Sequence, residues 1–181
     1  MSSLADFVFR TATTRGRRRT LWSIAGAIFW YGGVAIAVIL SVLVDKWLGW
    51  NLSVPNPLRW SLVIIFMVCG APMVIWTILR FFRALGTPVP FNPPQVFVTD
   101  GLYKYIRNPM HLGWTLVLIG LSLWLVSFTM LVIFLPLFVI IHVLYLKLIE
   151  EKELEKKFGQ SYVDYKKRVP MFFPRIITTK R

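Results

Sequence analysis

Residues 101–114 read GLYKYIRNPMHLGW, and a second charged stretch follows later with Lys147, the pair Glu150 and Glu151, and FGQSYVDYKKRVP over 158–170. These two stretches hold most of the side chains able to do chemistry. Arg107 and Asn108 precede Pro109, a residue suited to the first helical turn, where its missing N–H has no partner to lose. A helix beginning there offers free N–H groups and a partial positive charge, which together can hold a carboxylate or phosphate. Gly113, in the first turn, lets a flat ligand lie close to the backbone. Glu150 and Glu151 place negative charge at the edge of an apolar run. A carboxylate there needs a cation, either Lys147 one turn back or a cationic ligand. Together the stretches suit an amino-acid-like cofactor carrying both a carboxylate and a cation. Ordinary salt bridging at helix ends accounts for the same residues.

The elements that position these residues belong in a membrane. Of 181 residues, 56% are hydrophobic and only 16% charged, against roughly 25% charged in soluble domains. The net charge of +13 does not indicate nucleic acid, because the basic residues lie between long apolar runs instead of covering one face. Lys and Arg in such a chain set topology and meet anionic lipid headgroups. Residues 1–20, with five Arg and no cleavable leader pattern, read as a cytoplasmic arm with a short interfacial helix near Leu4–Phe9. Residues 21–181 read as one membrane-embedded domain.

Four spans are expected: 21–44, 59–80, 109–126 and 128–149. The first is uncharged over its whole length, with Gly26, Gly32 and Gly33 suited to close helix contact. Gly70 and Pro72 predict a kink in the second span, and Pro136 predicts one in the fourth. Cys69 reads as a buried packing residue. Asp45 and Asp100 read as loop residues. Ser127 is nearly the whole connection between spans three and four, which forces an antiparallel hairpin. The connection 81–108 is long and rich in Pro, Phe and Tyr, a composition and length that favour a functional loop.

The tail from residue 150 is charged and amphipathic. Winding 147–158 at about 100° per residue turns Lys147 and Glu151 toward the protein, with Glu150 nearby and Glu153 facing solvent. Gly159 is a helix stop. Lys166, Lys167 and Arg168 read as a lipid-facing basic run, and Phe158, Tyr162 and Tyr165 as packing residues. With both termini inside, every Lys and Arg except Lys46 and Arg59 falls on the cytoplasmic side, in accord with the positive-inside rule. Both chemical stretches then share one face. His111 and His142 are the two histidines of the chain, and no metal-ligand spacing accompanies them.

GLYKYIRNPMHLGW, the Glu pair about forty residues on, and FGxxYxxYKKRVP resemble the isoprenylcysteine carboxyl methyltransferases and the related phospholipid N-methyltransferases. The resemblance covers about residues 86–174. It implies an integral membrane enzyme that uses S-adenosylmethionine without a dinucleotide-type fold and transfers the methyl by direct displacement. The acceptor is lipophilic, a prenylcysteine-like carboxylate or a phospholipid amine, and enters from the bilayer. Carried onto this chain, the family's RHPxY motif falls on Arg107, Asn108, Pro109, Met110 and His111, with further cofactor contacts near Leu116 and Leu121–Trp124. The family's second Glu contact falls on Glu150. Arg107, Lys147, Glu150 and Glu151 are the expected catalytic group. Three positions depart from the pattern. Asn108 stands for the motif His, His111 for the motif Tyr, and Leu146 for the substrate-facing Arg, with Lys147 beside it. An NADPH-dependent lipid or sterol reductase and a non-catalytic membrane scaffold are the alternative readings.

Overall fold

Two uncharged apolar runs set the first half of the chain. A computed structural model describes residues 17–83 and 97–173, and only the backbone of residues 17–20, 22 and 23. Helix α1 is Arg17–Leu48 and α2 is Asn56–Arg83. A single 3₁₀ turn, Gly101–Lys104, leads to α3, Pro109–Trp124. Helix α4 runs from Met130 to Phe158, and α5 is Gln160–Arg168. No strand occurs among the described residues. Helices α1, α2 and α4 are long and apolar enough to cross a membrane, and α3 is a shorter apolar helix. The protein is an all-α, multi-pass integral membrane protein. The expected interfacial helix near Leu4–Phe9 and most of the Pro-rich loop lie outside the described residues.

Glycine sets the closest helix contact, between α2 and α3. A Cβ on Gly70 would lie 2.7 Å from the Gly113 carbonyl oxygen, and one on Gly113 would lie 2.9 Å from Val74 Cγ2 and 3.0 Å from Met73 Cβ. Gly120 repeats the contact two turns on, against Phe66 and Met67. Small residues bring backbones together where lipid gives no hydrophobic drive for helix association. Of the glycines expected to do this on α1, Gly32 and Gly33 do not: nothing lies within 4 Å of either Cβ position. Cys69 is likewise exposed instead of packed, because Gly70, its neighbour, takes the α3-facing position of α2.

One end of the bundle is tied by Asp45. This residue belongs to the last turns of α1, not to a loop, and is 6% exposed. Its carboxylate accepts from the Ser127 hydroxyl and, at 3.0 Å, from the Thr129 N–H. An anion there satisfies orphan donors at the start of α4 and complements its dipole. The tight hairpin is present as expected, with the Val126 carbonyl accepting from the Leu52 N–H at 3.2 Å. Val126 has φ 56, an uncommon conformation for a β-branched residue.

Helix α4 departs from regular winding twice, in π-helical turns at Met130–Phe134 and Leu146–Glu150. The first precedes Pro136, so the expected disturbance takes the form of a widened turn beside the missing N–H. In contrast α2 is continuous through Pro72. The second widened turn has larger consequences, because it lies immediately before the Glu pair.

Candidate active site

The two chemical stretches are joined by backbone hydrogen bonds. The Arg107 N–H donates to the Pro170 carbonyl at 2.9 Å, and the Asn108 N–H donates to Met171 at 3.1 Å. The Tyr165 hydroxyl donates to the Tyr103 carbonyl at 2.7 Å. Burial pushes the Tyr165 hydroxyl up to about 12, so it stays a donor across the ordinary pH range. Tyr162, Tyr165 and Val169 form a small core with Phe97, Leu154 and Phe158, the packing role expected of these aromatics. Gly159, at φ 57, ends α4 and lets α5 fold back. On the other side Tyr103 rests near Trp76 of α2, and Gly101, at φ 57, has no room for a side chain against that indole. Asp100 pairs with Arg80 at the end of α2.

Arg107 ion-pairs with Glu151, and Lys166 of α5 pairs with the second oxygen of Glu151 and with Glu155 at 3.0 Å. The hydrogen bond to Glu151 raises the Lys166 ammonium above its usual range. Lys166 is therefore part of the site, a correction to the reading of residues 166–168 as a lipid-facing run; Lys167 and Arg168 are exposed. Lys147 is also exposed and is not the partner of the Glu pair. Glu153, expected in solvent, is 5% exposed. The π turn explains both corrections. It places one more residue in the turn than regular winding does, which rotates every later residue back by about 100° and brings Glu153 inward.

Glu151 thus takes Arg107 and Lys166. Among the described residues no protein cation pairs with Glu150, whereas Lys157, one turn on, acts on the Glu153 carboxylate. Glu150 still acts through space, since its charge adds to burial in raising the Tyr103 hydroxyl. Arg107 Nε is enclosed without a hydrogen-bond partner among the described residues. The site end of the bundle therefore presents half-buried negative charge on α4 and an unused donor at the start of α3.

The other expected cofactor contacts divide. Asn108, Pro109 and His111 are buried at the α3 N-terminus, with Met110 half-buried. Gly113 and Leu116 turn toward α2, where Gly70 already fills the approach, so the absence of a Gly113 side chain serves helix packing. Leu121 packs against the bundle core around Leu118, Met130 and Phe138. Leu146, at the position of the family Arg, is 1% exposed.

Sequence reading missed a group on the membrane side of the charges. His142 is 4% and His111 8% exposed, their rings 5.0 Å apart and edge-on. Trp30 of α1 stands 4.2 Å from the His142 ring and Phe138 stands 3.8 Å away. A repeat of four residues on α4, Phe138, His142, Leu146 and Glu150, was the available signal. No cluster of three or more metal-ligating side chains occurs among the described residues.

The fold and the site define a multi-pass helical membrane protein with a charged site at one end of its bundle. A family model described as phospholipid methyltransferase matches residues 58–161, and the chain belongs to that family. It is 26% identical over 149 residues to methanethiol S-methyltransferase 2 of Bradyrhizobium diazoefficiens, covering 82% of this chain and 50% of that protein. It is 29% identical over 83 residues to a methanethiol S-methyltransferase of Crocosphaera subtropica, 46% of this chain and 31% of the relative. A protein-S-isoprenylcysteine O-methyltransferase of Schizosaccharomyces pombe is 32% identical over 87 residues, 47% of this chain and 36% of its own. The chain spans half or less of the length of these curated relatives.

Proposed function

We propose that this chain is a methyltransferase that uses S-adenosylmethionine and acts on a lipophilic acceptor at the cytoplasmic face of a membrane. The observation that carries the reading is the division of the Glu pair. Glu151 is neutralised by Arg107 and Lys166, and Glu150 has no protein cation among the described residues. A carboxylate so placed at a membrane boundary favours a cationic ligand. The family supports the nature of that ligand. Glu150, with Glu153 beside it, would hold the cofactor's ammonium, and the α3 N-terminus and Arg107 Nε would take its carboxylate. When bound, the cofactor supplies a methyl on a positively charged sulfur.

The orientation is supported by the distribution of Lys and Arg, which favours the cytoplasmic side for the Arg107 end and both termini. Helix α3 has 16 residues, roughly 24 Å against a hydrocarbon core of roughly 30 Å. With the hairpin end tied to α1 through Asp45, the shortfall lies at the Arg107 end. An acceptor dissolved in the bilayer reaches such a site laterally. Among acceptors, a prenylcysteine carboxylate loses support from the enclosed Leu146, which supplies no charge to meet it. No observation favours the reductase or scaffold readings.

Calorimetry in detergent with S-adenosylhomocysteine tests the proposal. Binding by the wild type and a loss of affinity in Glu150→Ala and Arg107→Ala are expected. Unchanged affinity in both variants would refute it.

A further inference from the structure

The outward side of α4 carries a second charged feature, apart from the site described above. Ile140, Leu144 and Leu148 are exposed apolar residues at every fourth position. The same spacing continues through Lys152 and Lys156, both exposed. In regular winding a step of four overshoots one turn by roughly 40°, so four such steps carry a row almost half-way round the helix. The π turn Leu146–Glu150 takes back about 100° of that drift. The five residues therefore keep to one outward face, apolar first and then cationic.

The same turn brings in Lys147. Residues five apart in regular winding point roughly 140° from each other. Here the Glu151 N–H donates to the Leu146 carbonyl, five residues back, so each turn of this stretch takes five residues instead of four. Lys147 and Lys152 then lie one turn apart and within roughly 60° of one another. Lys147 is exposed, and beside Leu148 its stem can lie along apolar surface while the ammonium reaches toward water. The three lysines form a stripe about 13 Å long at the α-helical rise, placed where the lipid-facing apolar row ends.

The carboxylates of this segment are engaged elsewhere. Glu151 is buried and takes Arg107 and Lys166, Glu155 pairs with Lys166, and Glu153 is buried within reach of Lys157. Among the described residues no ion pair engages Lys147 or Lys152.

We propose that Lys147, Lys152 and Lys156 form a binding site for the phosphate of an anionic phospholipid in the leaflet at the Arg107 end of the bundle. The occupant is a lipid because the stripe continues the lipid-facing row of α4, which sets its ammonium groups at the level of the headgroups. It is an anionic lipid because a zwitterionic headgroup brings a cation of its own, which three lysines repel. Each lysine beside an anionic membrane surface contributes about fivefold in affinity. The site stands on the winding of α4 and is independent of the methyltransferase reading.

The test uses the full chain in mixed detergent micelles, with unfolding followed by tryptophan fluorescence. Phosphatidylglycerol at rising mole fraction should raise the melting temperature of the wild type, and phosphatidylcholine should raise it much less. In the triple variant Lys147→Gln, Lys152→Gln, Lys156→Gln, the mole fraction of phosphatidylglycerol giving half of the shift should rise at least about tenfold. The double variant Lys167→Gln, Arg168→Gln removes two exposed charges of α5 and should respond as the wild type does. Inorganic phosphate alone should leave the wild type unchanged, which separates a headgroup in the bilayer plane from a free anion. Equal shifts with the two lipids, a triple variant that responds like the wild type, an equal loss in the α5 variant, or a shift reproduced by inorganic phosphate would each overturn the proposal. If the triple variant does not fold, the wild type decides. Its preference for phosphatidylglycerol should shrink severalfold in about 1 M sodium chloride, where the screening length is roughly 3 Å, and a preference indifferent to salt overturns the proposal.

Discussion

Arg107 and Glu151, 44 positions apart in the chain, form an ion pair whose side chains are only 11% and 8% exposed. The pair joins the start of α3 to the end of α4. It also engages Glu151 and leaves Glu150 outside the pair.

Removing one partner should therefore damage the fold. Arg107→Met leaves Glu151 with Lys166 alone, and breaking a buried pair costs about 3 kcal/mol. The melting temperature, followed by tryptophan fluorescence in detergent, should fall clearly. Adding Glu151→Gln to Arg107→Met should recover part of the loss. Additive losses in the double variant would show that the pair is not coupled.

The adjacent carboxylates should separate by function. Glu150→Gln is expected to weaken S-adenosylhomocysteine binding by at least about tenfold, the loss of one charge-assisted contact, and to leave the melting temperature nearly unchanged. Glu151→Gln should do the reverse. A binding defect confined to Glu151→Gln would contradict the assignment of Glu150.

Contact between α2 and α3 leaves no room at Gly113. Gly113→Ala sets a methyl 2.9 Å from Val74 Cγ2 and 3.0 Å from the Gly70 oxygen. Backbone does not yield easily, and overpacking of this kind costs about 1–3 kcal/mol. Gly33→Ala, with open space around it, is the control and should be neutral or slightly stabilising. Equal melting temperatures for the two variants would rule out this packing role.

At the opposite end, Asp45→Ala removes the anion that Ser127 and Thr129 share. Loss of an N-terminal cap costs about 1–2 kcal/mol. Cofactor affinity should be unchanged, because the residue lies at the far end of the bundle. Calorimetry and thermal unfolding of the same variant check both halves of the statement.

Lys166 supplies a pH signature. Its folded-state ammonium is raised above the usual 10.5 by the hydrogen bond to Glu151. A raised value in the fold means that its contribution is complete below 10.5 and disappears as pH climbs through the folded value. The difference in melting temperature between wild type and Lys166→Met should be constant from neutral pH to about 10 and shrink above it. A difference that shrinks near neutral pH would contradict the pairing.

Much of this protein was legible in its sequence because the governing forces are local. Uncharged runs long enough for a bilayer, a Pro at the first turn of α3 and a short hairpin connection at Ser127 each carry their own physical reason. The Arg107 and Glu150 stretches were likewise readable as chemistry, since charges beside apolar runs require partners. The assignment of partners was not readable. It assumed regular winding, and the π turn Leu146–Glu150 altered the facing of Lys147 and Glu153 at once. Nothing in residue composition announces an added residue in a turn. Asp45 was equally hidden, because its role comes from Ser127 and Thr129, more than eighty positions away.

The sequence by itself determined a helical membrane protein of the phospholipid methyltransferase family and the two stretches that build its site. Tertiary structure decided which charges meet: Arg107 and Lys166 to Glu151, with Glu150 outside those pairs, and His142 against His111. The division follows from range. Hydrophobic length and turn chemistry act within a few residues, whereas pairing depends on helix rotation, which a single π turn can reset.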